Sequence, residues 1–363
     1  MASKRKGLLE RLGDNEFVIA AEGYAFYFER AGYHKSGLGV PEVVLDHPEV
    51  VEHAYREFVH AGSDVIVSYT YYGHREKLRL AGREGDIEKL NKTALNLARK
   101  VADETNTLVA GDLSNTNIYH PDHPERNDNI KAMMKEQTEW AVECGADMIV
   151  AETFTYFGEA MLALEVIKSY GKGLPSVITL APFIVPTMDG HAITADKLLV
   201  SEACKKLQEA GADVVGLNCG RGPKTMLPLL KEIKEVCPGP LAALPVPFRT
   251  TSKEPTFFML TDPLTGKKVF PGDVDIHSCT REDINEFGEE CKRLGIQYIG
   301  LCCGNRAYYT RALAESLART PPASQYSLDM SKHYVYGTDA KVKRDVADDS
   351  LKLYHTLGEI DHI

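Results

Sequence analysis

The sequence predicts an α/β protein that folds as a (β/α)8 TIM barrel with a C-terminal extension. Two observations carry this prediction. One pattern occurs four times: a helical segment ends at Gly or another small residue, and a short apolar run then leads to polar or aromatic residues. Four further apolar runs alternate with these copies, and plausible amphipathic helices lie between them.

The eight apolar runs are interpreted as parallel strands that are buried on both faces. A Gly at a helix end can adopt the left-handed cap conformation, which allows a short turn into the next strand. The repeated copies are AGSDVIVSYT (61–70), CGADMIVAET (144–153), AGADVVGLNC (210–219) and LGIQYIGLCC (294–303). The other runs are FVIAAE (17–22), TLVAGD (107–112), SVITLAP (176–182) and PLAALPV (240–246).

Helices are predicted at 48–61, 86–104, 127–144, 157–171, 194–210, 223–236 and 280–294. Thr280 and Asp283 at the start of the last one resemble a weak capping box. A doubly wound open sheet is the alternative architecture. We expect a barrel domain over residues 1–320, and an arm over 321–363 that packs on the barrel or on a neighbouring subunit of a homo-oligomer.

The composition favours small-molecule partners. The net charge is −10, from 42 Lys+Arg against 52 Asp+Glu, so no basic field is available to hold nucleic acid or an anionic membrane. No apolar run approaches the roughly 20 residues of a membrane span, and MASKRKGLLERLGDNE lacks the apolar stretch of a signal peptide. A cytoplasmic location is expected, where clustered cysteines are more often metal ligands or catalytic thiols than disulfides.

Aligning the four repeats places several chemically active residues at strand exits, where barrel enzymes carry their active sites. Asp64, Asp147, Asp213 and Gln297 become equivalent near the strand starts. The equivalent exit residues are Tyr69, Glu152, Asn218 and Cys302, followed by Thr70, Thr153, Cys219 and Cys303. Alternate strands share a side-chain layer, so Cys219 and one of the two cysteines of strand 8 are expected to converge.

Three thiolates at strand ends form a credible zinc site with an open fourth position, which is typical of catalytic zinc. The alternative for Cys219 is a buried core thiol. Cys302 and Cys303 would face opposite ways unless the strand ends there, and Gly304 allows the turn that brings both inward. We interpret the remaining cysteines as core or surface thiols: Cys144, Cys204, Cys237, Cys279 and Cys291.

The cysteine motifs also carry a family resemblance. GLNCG (216–220) and GLCCGN (300–305) resemble the zinc signature of the homocysteine S-methyltransferase family. The similarity extends over about residues 14–320 and is greatest to its betaine–homocysteine branch, through ERAGYHKSG (29–37), HPEVVEHAYREFVHAGSDVI (47–66), YTYYGHREKL (69–78), VADETNTLVAGDLSNT (101–116) and RALAESLA (311–318).

The resemblance implies methyl transfer from an onium donor to homocysteine, giving methionine. It implies that Cys219, Cys302 and Cys303 hold zinc, and that Tyr72 fills the fourth zinc position before substrate arrives. Glu152 matches the carboxylate that holds the homocysteine amino group, and Glu22 stands where the family has an aspartate. Glu22, Tyr72 and Glu152 are therefore candidate catalytic and substrate-binding residues, with Thr70 and Thr153 as further substrate-binding candidates. The alternative for each glutamate is a satisfied carboxylate at the barrel mouth.

The methyl donor is expected to differ from glycine betaine. A tryptophan and a tyrosine that would cage a trimethylammonium group in the betaine branch are replaced by Gly39 and Thr153. A sulfonium such as dimethylsulfoniopropionate, or an unusual betaine, is therefore favoured. Other aromatics after strands 1, 2 and 4 are candidates for a different cage: Tyr24, Phe26, Tyr27, Tyr69, Tyr71, Tyr72, Phe154 and Tyr156. The alternative function is a non-catalytic zinc-containing paralogue that binds a small onium ligand, which the altered strand 1 motif favours.

Overall fold

A computed structural model describes residues 5–34, 39–183, 191–326 and 330–360. Eight parallel strands form a closed barrel in chain order, which confirms the predicted fold class. Pairing of the first strand with the last rules out the open sheet. The strands are β1 Val18–Ala21, β2 Val65–Val67, β3 Leu108–Ser114, β4 Met148–Phe154, β5 Ser176–Leu180, β6 Val214–Asn218, β7 Leu241–Leu244 and β8 Tyr298–Leu301.

Helices surround the barrel, and the seven predicted from the sequence are all present. The α-helices of the described residues are α1 Leu8–Gly13, α2 Tyr24–Arg30, α3 Val43–Asp46, α4 Pro48–His60, α5 Arg75–Leu80, α6 Ile87–Thr105, α7 Asn127–Glu143, α8 Phe157–Tyr170, α9 Val200–Glu209, α10 Pro223–Val236, α11 Arg281–Leu294, α12 Ala307–Ser316 and α13 Arg344–Ile360. Short 3-10 turns lie at Glu84–Asp86, Pro124–Arg126, Val274–His277, Pro322–Tyr326 and Met330–Lys332.

The start of α9 differs from the prediction, which placed it at residue 194. The segment before Val200 forms a local turn, in which Leu198 N donates to Thr194 Oγ1 at 3.1 Å and Thr194 N donates to the Leu198 carbonyl at 2.9 Å. Lys197 has a φ of 64° in this turn, which is incompatible with a right-handed helix. The side-chain and turn hydrogen bonds therefore replace the first helical turn.

The barrel interior is apolar at the amino ends of the strands. One cluster joins the inward side chains of the strands to Leu8 and Leu12 of α1, and its other members include Val18, Ala20, Leu108, Ala110, Met148, Val150 and Tyr298. Side chains alternate between the two faces of a strand, so the next inward position on β1, β3 and β4 falls to Glu22, Asp112 and Glu152. The same alternation that builds the apolar floor thus sets three carboxylates above it.

The aspartates shared by three of the repeats link neighbouring strands at the amino end of the barrel. Asp64, Asp147 and Asp213 each accept a backbone hydrogen bond at 2.8 Å, from Ile19, Val109 and Ser176 respectively. Each therefore ties the start of its own strand to the preceding strand. Gln297, at the equivalent place, donates instead to the Leu12 carbonyl at 2.9 Å.

The chain divides into two compact units, Met1–Ala323 and Ser324–Ile363. The first holds the barrel, and the second contains the 17-residue helix α13. Three expectations stay predictions. They are the assignment of the barrel and the arm on either side of residue 320, the packing of the arm at a subunit interface, and the homo-oligomer. Among the described residues, no helix has both the length and the apolar character needed to cross a membrane.

Asp213→Ala tests this strand-linking role of the aspartates. Removal of the Asp213 carboxylate leaves the buried Ser176 N–H without its acceptor, so we expect the free energy of unfolding to fall by about 1–3 kcal/mol. Urea denaturation measures this loss. Glu139→Ala on the exposed face of α7 is the control, with an expected change within about 0.5 kcal/mol. Equal effects of the two substitutions would contradict the role.

Candidate active site at the carboxyl end of the barrel

Three cysteine thiols converge where β6 and β8 end. The Sγ atoms of Cys219, Cys302 and Cys303 all lie within 4.8 Å of one another, and those of Cys302 and Cys303 are 4.0 Å apart. The two adjacent cysteines share one site because β8 ends at Leu301 and the chain turns at Gly304, which has a φ of 92°. The prediction that Gly304 permits this turn agrees with the geometry.

The thiol cluster fits a zinc ion. Tetrahedral coordination with zinc–sulfur bonds of about 2.3 Å places neighbouring sulfurs about 3.8 Å apart, which is near the spacing of Cys302 and Cys303. Hydrogen bonds from the other two thiols hold the pKa of Cys303 well below its usual range. Cys219 and Cys302 are buried, and Cys303 is half-buried. The cluster therefore offers three sulfur donors with limited access to water.

Gly23 allows the exit of β1 to lie directly against the cysteine pair. It has a φ of 79°, and a Cβ built on it would lie 2.3 Å from the carbonyl carbon of Cys302. Any other residue here would push the two segments apart. This close approach brings Glu22 to the thiols.

Glu22, Asp112 and Glu152 form an acidic pit beside the thiols. The carboxylates of Glu22 and Glu152 lie within 4.8 Å of Cys302 Sγ and of each other. Burial, together with the charges of the neighbouring acids, raises the pKa of both Glu22 and Asp112 well above their usual range. Burial and the charge of Cys303 raise the pKa of Glu152 to about 7. Such a pit is suited to binding a cation.

Asn218 holds one side of this pit in place. Its Oδ1 accepts from Thr153 N and from Thr179 Oγ1, each at 2.9 Å. Its Nδ2 donates to Glu152 Oε2, and also to Thr153 Oγ1 at 2.8 Å. Asn218 thus fixes the orientation of Glu152. Asn218 was not among the predicted site residues, although it directly precedes Cys219 in the sequence.

The predicted site residues fall into three places. Glu22, Glu152, Cys302 and Cys303 line an inner cavity, together with Ser68, Tyr69 and Asp112. Tyr72 and Cys219 line an outer cavity, and Thr153 and Cys303 border both. Thr70 lines neither cavity, because its hydroxyl donates to the main-chain carbonyl of Asp112 at 2.9 Å.

The outer cavity is walled mainly by aromatic rings. Its aromatic lining is Phe26, Tyr71, Tyr72, Phe183, Phe257, Phe258 and Phe270. The rings contact one another closely, with centroids 4.5 Å apart for Phe258 and Phe270. Gly39 and Thr153, where the sequence lacks two expected aromatics, border the same space. An apolar chamber therefore opens directly onto Cys219 and Cys303.

The sequence identified this aromatic lining only in part. Of the eight aromatics proposed for a cage, Phe26, Tyr71 and Tyr72 line the outer cavity. Tyr24 and Tyr69 border the inner cavity, Tyr27 donates to Glu57, Phe154 lies in the core and Tyr156 packs on Tyr119. The other four aromatic residues of the outer cavity lie in loops after β5 and β7: Phe183, Phe257, Phe258 and Phe270. The only feature of the sequence that could have indicated them is the adjacent pair Phe257 and Phe258.

Comparison with known proteins gives a consistent result. A family model described as homocysteine S-methyltransferase matches residues 24–317. Betaine–homocysteine S-methyltransferase 1 of Bos taurus is 33% identical over 344 residues, covering 92% of this chain and 80% of that protein. The S-methylmethionine–homocysteine S-methyltransferase BHMT2 of Pongo abelii is 34% identical over 336 residues, covering 88% and 85%.

Among solved structures, the metallated homocysteine methyltransferase MmuM from Escherichia coli has the same fold. It superposes with a TM-score of 0.64 at 17% identity, covering 85% of this chain and 99% of that one.

Proposed function

The chain belongs to the homocysteine S-methyltransferase family and is a methyltransferase, and from this premise we propose that it moves a methyl group from an onium donor to homocysteine with one bound zinc ion, giving methionine. The observation that carries the proposal is the position of the three thiols. They lie between an acidic pit, which suits the amino group of an amino acid, and an aromatic chamber, which suits an onium cation.

Cys219, Cys302 and Cys303 would hold the metal, since their number, element and spacing fit a zinc site with one open position. Zinc in such a site supplies deprotonation of a coordinated substrate thiol, which at neutral pH is otherwise mostly protonated. Tyr72 borders the outer cavity with Cys219 and Cys303, so its predicted occupation of the open position remains a proposal.

Glu152 and Glu22 would bind the ammonium group of homocysteine. Their carboxylates lie within 4.8 Å of Cys302 Sγ, so an amino acid held there has its sulfur directed to the thiol cluster. Asn218 and Thr153 orient Glu152 through the hydrogen bonds described above. Glu22 replaces an expected aspartate but still lies in the pit with Glu152, and this position supports catalysis over the alternative of a non-catalytic paralogue.

The aromatic chamber would hold the methyl donor. Ring faces attract a cationic nitrogen or sulfur, and an apolar wall excludes water. The substrate sulfur attacks the methyl carbon in line with the bond that joins this carbon to the onium atom. The new S–C bond forms as that bond breaks. The electron pair of the broken bond stays on the onium atom, which leaves as a neutral amine or thioether. Charge is neutralised in this step, so a dry site favours it. No general acid is required.

The walls of the aromatic chamber bear on the chemical class of the methyl donor. The relatives include both betaine and S-methylmethionine enzymes at nearly equal identity, so similarity alone does not choose between them. Gly39 leaves room for the ring of Tyr72, because a Cβ at Gly39 would lie 3.0 Å from Tyr72 Cδ2. The chamber thus lacks the two walls that the betaine branch places at these positions, and we propose a sulfonium or an unusual betaine as donor.

We expect one zinc per chain, lost in Cys219→Ala together with activity. Cys237→Ala is the matched control, since Cys237 is also a buried thiol but lies at the end of α10, away from the cluster. Metal analysis of protein purified under reducing conditions gives the readout. Less than half an equivalent in the unsubstituted protein, with no gain on adding zinc, would contradict the zinc proposal.

Glu152→Gln is expected to retain zinc and to weaken homocysteine binding by about 10- to 100-fold, because it removes the charged partner of an ammonium group. Calorimetric titration with homocysteine and metal analysis of the same sample separate the two roles. Loss of zinc in this variant would show that Glu152 supports the metal.

Among donors, we expect a sulfonium such as dimethylsulfoniopropionate, or an unusual betaine, to exceed glycine betaine in kcat/KM. Two missing aromatic walls at roughly 0.5–2 kcal/mol each weaken a trimethylammonium cage by about 5- to 700-fold. Methionine formation with homocysteine and a panel of donors also tests the proposed function itself. Clear preference for glycine betaine would mean that Phe257, Phe258 or Phe270 compensates for the losses.

A further inference from the structure

Asp112 lies in the acidic pit with Glu22 and Glu152, but the proposed function assigns the ammonium group of the acceptor to the two glutamates alone. We propose that Asp112 is the third carboxylate of a socket for the ammonium group of the acceptor, and that it makes the enzyme selective for amino-acid thiols over thiols without an amino group. This inference rests on the proposed function and assigns a further residue to it.

Strand pairing and a side-chain hydrogen bond hold Asp112 at the acidic pit. In the pairing of β3 with β4, Asp112 lies opposite Val150 and Ser114 lies opposite Glu152. Asp112 follows Ala110 on the inward face, directly above the apolar floor. Thr70 Oγ1 donates to its main-chain carbonyl and so fixes its backbone to the exit of β2. The side chain is 4% exposed, so it faces the pit and not bulk water.

Three carboxylate oxygens of the pit lack a hydrogen-bond donor among the described residues. Within the described part of the chain, Asp112 Oδ1 and both carboxylate oxygens of Glu22 have no hydrogen-bond partner. The hydroxyl of Tyr69, which lines the same cavity, is also unpartnered. Buried polar atoms in proteins are almost always satisfied, and a buried carboxylate without a partner is costly. These atoms therefore indicate a bound cationic ligand with several N–H donors.

An ammonium group matches this arrangement. It carries three N–H donors and no acceptor, and β1, β3 and β4 each contribute one carboxylate around the cavity. On Glu152, Asn218 Nδ2 and Thr153 Oγ1 both donate to Oε2, so Oε1 is left for the ligand. A hard metal ion takes about six oxygen ligands and usually keeps several waters among them, whereas this pit is buried and has the soft thiol of Cys302 on one side. The pit thus fits the amino group of the acceptor better than a second metal.

Asp112→Asn tests the inference, because it keeps the shape of the side chain and removes the charge. The probes are homocysteine and 4-sulfanylbutanoate, which is homocysteine without its amino group. We expect kcat/KM for homocysteine to fall by about 10- to 100-fold while that for 4-sulfanylbutanoate is unchanged or rises, so that the preference collapses. Calorimetric affinity for homocysteine should fall by the same factor, and zinc content should stay at its unsubstituted level.

Glu159→Gln is the matched control. Glu159 is also buried at the start of α8, but it accepts hydrogen bonds from Thr116 N and Oγ1 and does not line the pit. Its substitution should leave the preference for homocysteine intact even if stability falls. An unchanged preference in Asp112→Asn overturns the inference, as does loss of a second equivalent of metal in that variant. Failure of the unsubstituted enzyme to methylate homocysteine refutes the proposed function instead, whereas calorimetry still tests the socket.

Discussion

Closure of the sheet between β1 and β8 is the constraint on which the site depends. The pairing runs from Val18 opposite Tyr298 to Ala21 opposite Leu301, so the residues that follow leave the barrel side by side. Glu22 thereby meets Cys302, although they are the most distant parts of the barrel in sequence. Gly23 permits the contact, since a side chain there would collide with the Cys302 carbonyl. An open sheet would separate the acid from the thiol.

The same closure concentrates negative charge. Glu22, Asp112 and Glu152 share one end of a narrow interior with the three thiols, and burial raises the pKa of each acid. Neighbouring acids add to the rise in pKa for Glu22 and Asp112, and the charge of Cys303 adds to it for Glu152. Two unit charges 4 Å apart repel by about 4 kcal/mol at an effective dielectric constant of 20, so the pit cannot hold all its charges without counter-charge. In the proposed function, a divalent metal on the sulfurs and an ammonium group on the oxygens would supply this counter-charge. Because the metal ion and the ammonium group are both cations, each reduces the negative charge that is left to attract the other.

Much of this could be predicted from the sequence, because buried parallel strands are continuous apolar runs and adjacent cysteines are uncommon. The strand positions, the seven helices and the family follow from such local signals. Other features have no local signal. Asp112 ends an apolar run in the sequence, and only the closed barrel shows that its inward position lies beside Glu22 and Glu152. Thr70 aligned with Cys303 in the repeats but is turned to the Asp112 carbonyl, since β2 ends at Val67 and its exit follows a different path. The phenylalanines of the outer cavity lie on loops, whose placement depends on tertiary packing.

The two ends of the barrel divide stability from function. At the amino ends, Asp64, Asp147 and Asp213 satisfy backbone groups and tie neighbouring strands together. At the carboxyl ends, Tyr72, Thr153 and Cys219 all adopt left-handed backbone, with φ of 58°, 66° and 56°. Non-glycine residues held in this way cost on the order of 1–3 kcal/mol each, and they persist only where surrounding structure enforces them. Tyr72 and Cys219 lie after the ends of β2 and β6, and Thr153 lies inside β4, where its pairing with β5 is irregular. The strained residues therefore place the Cys219 thiol, the Thr153 hydroxyl and the Tyr72 ring around the same outer cavity.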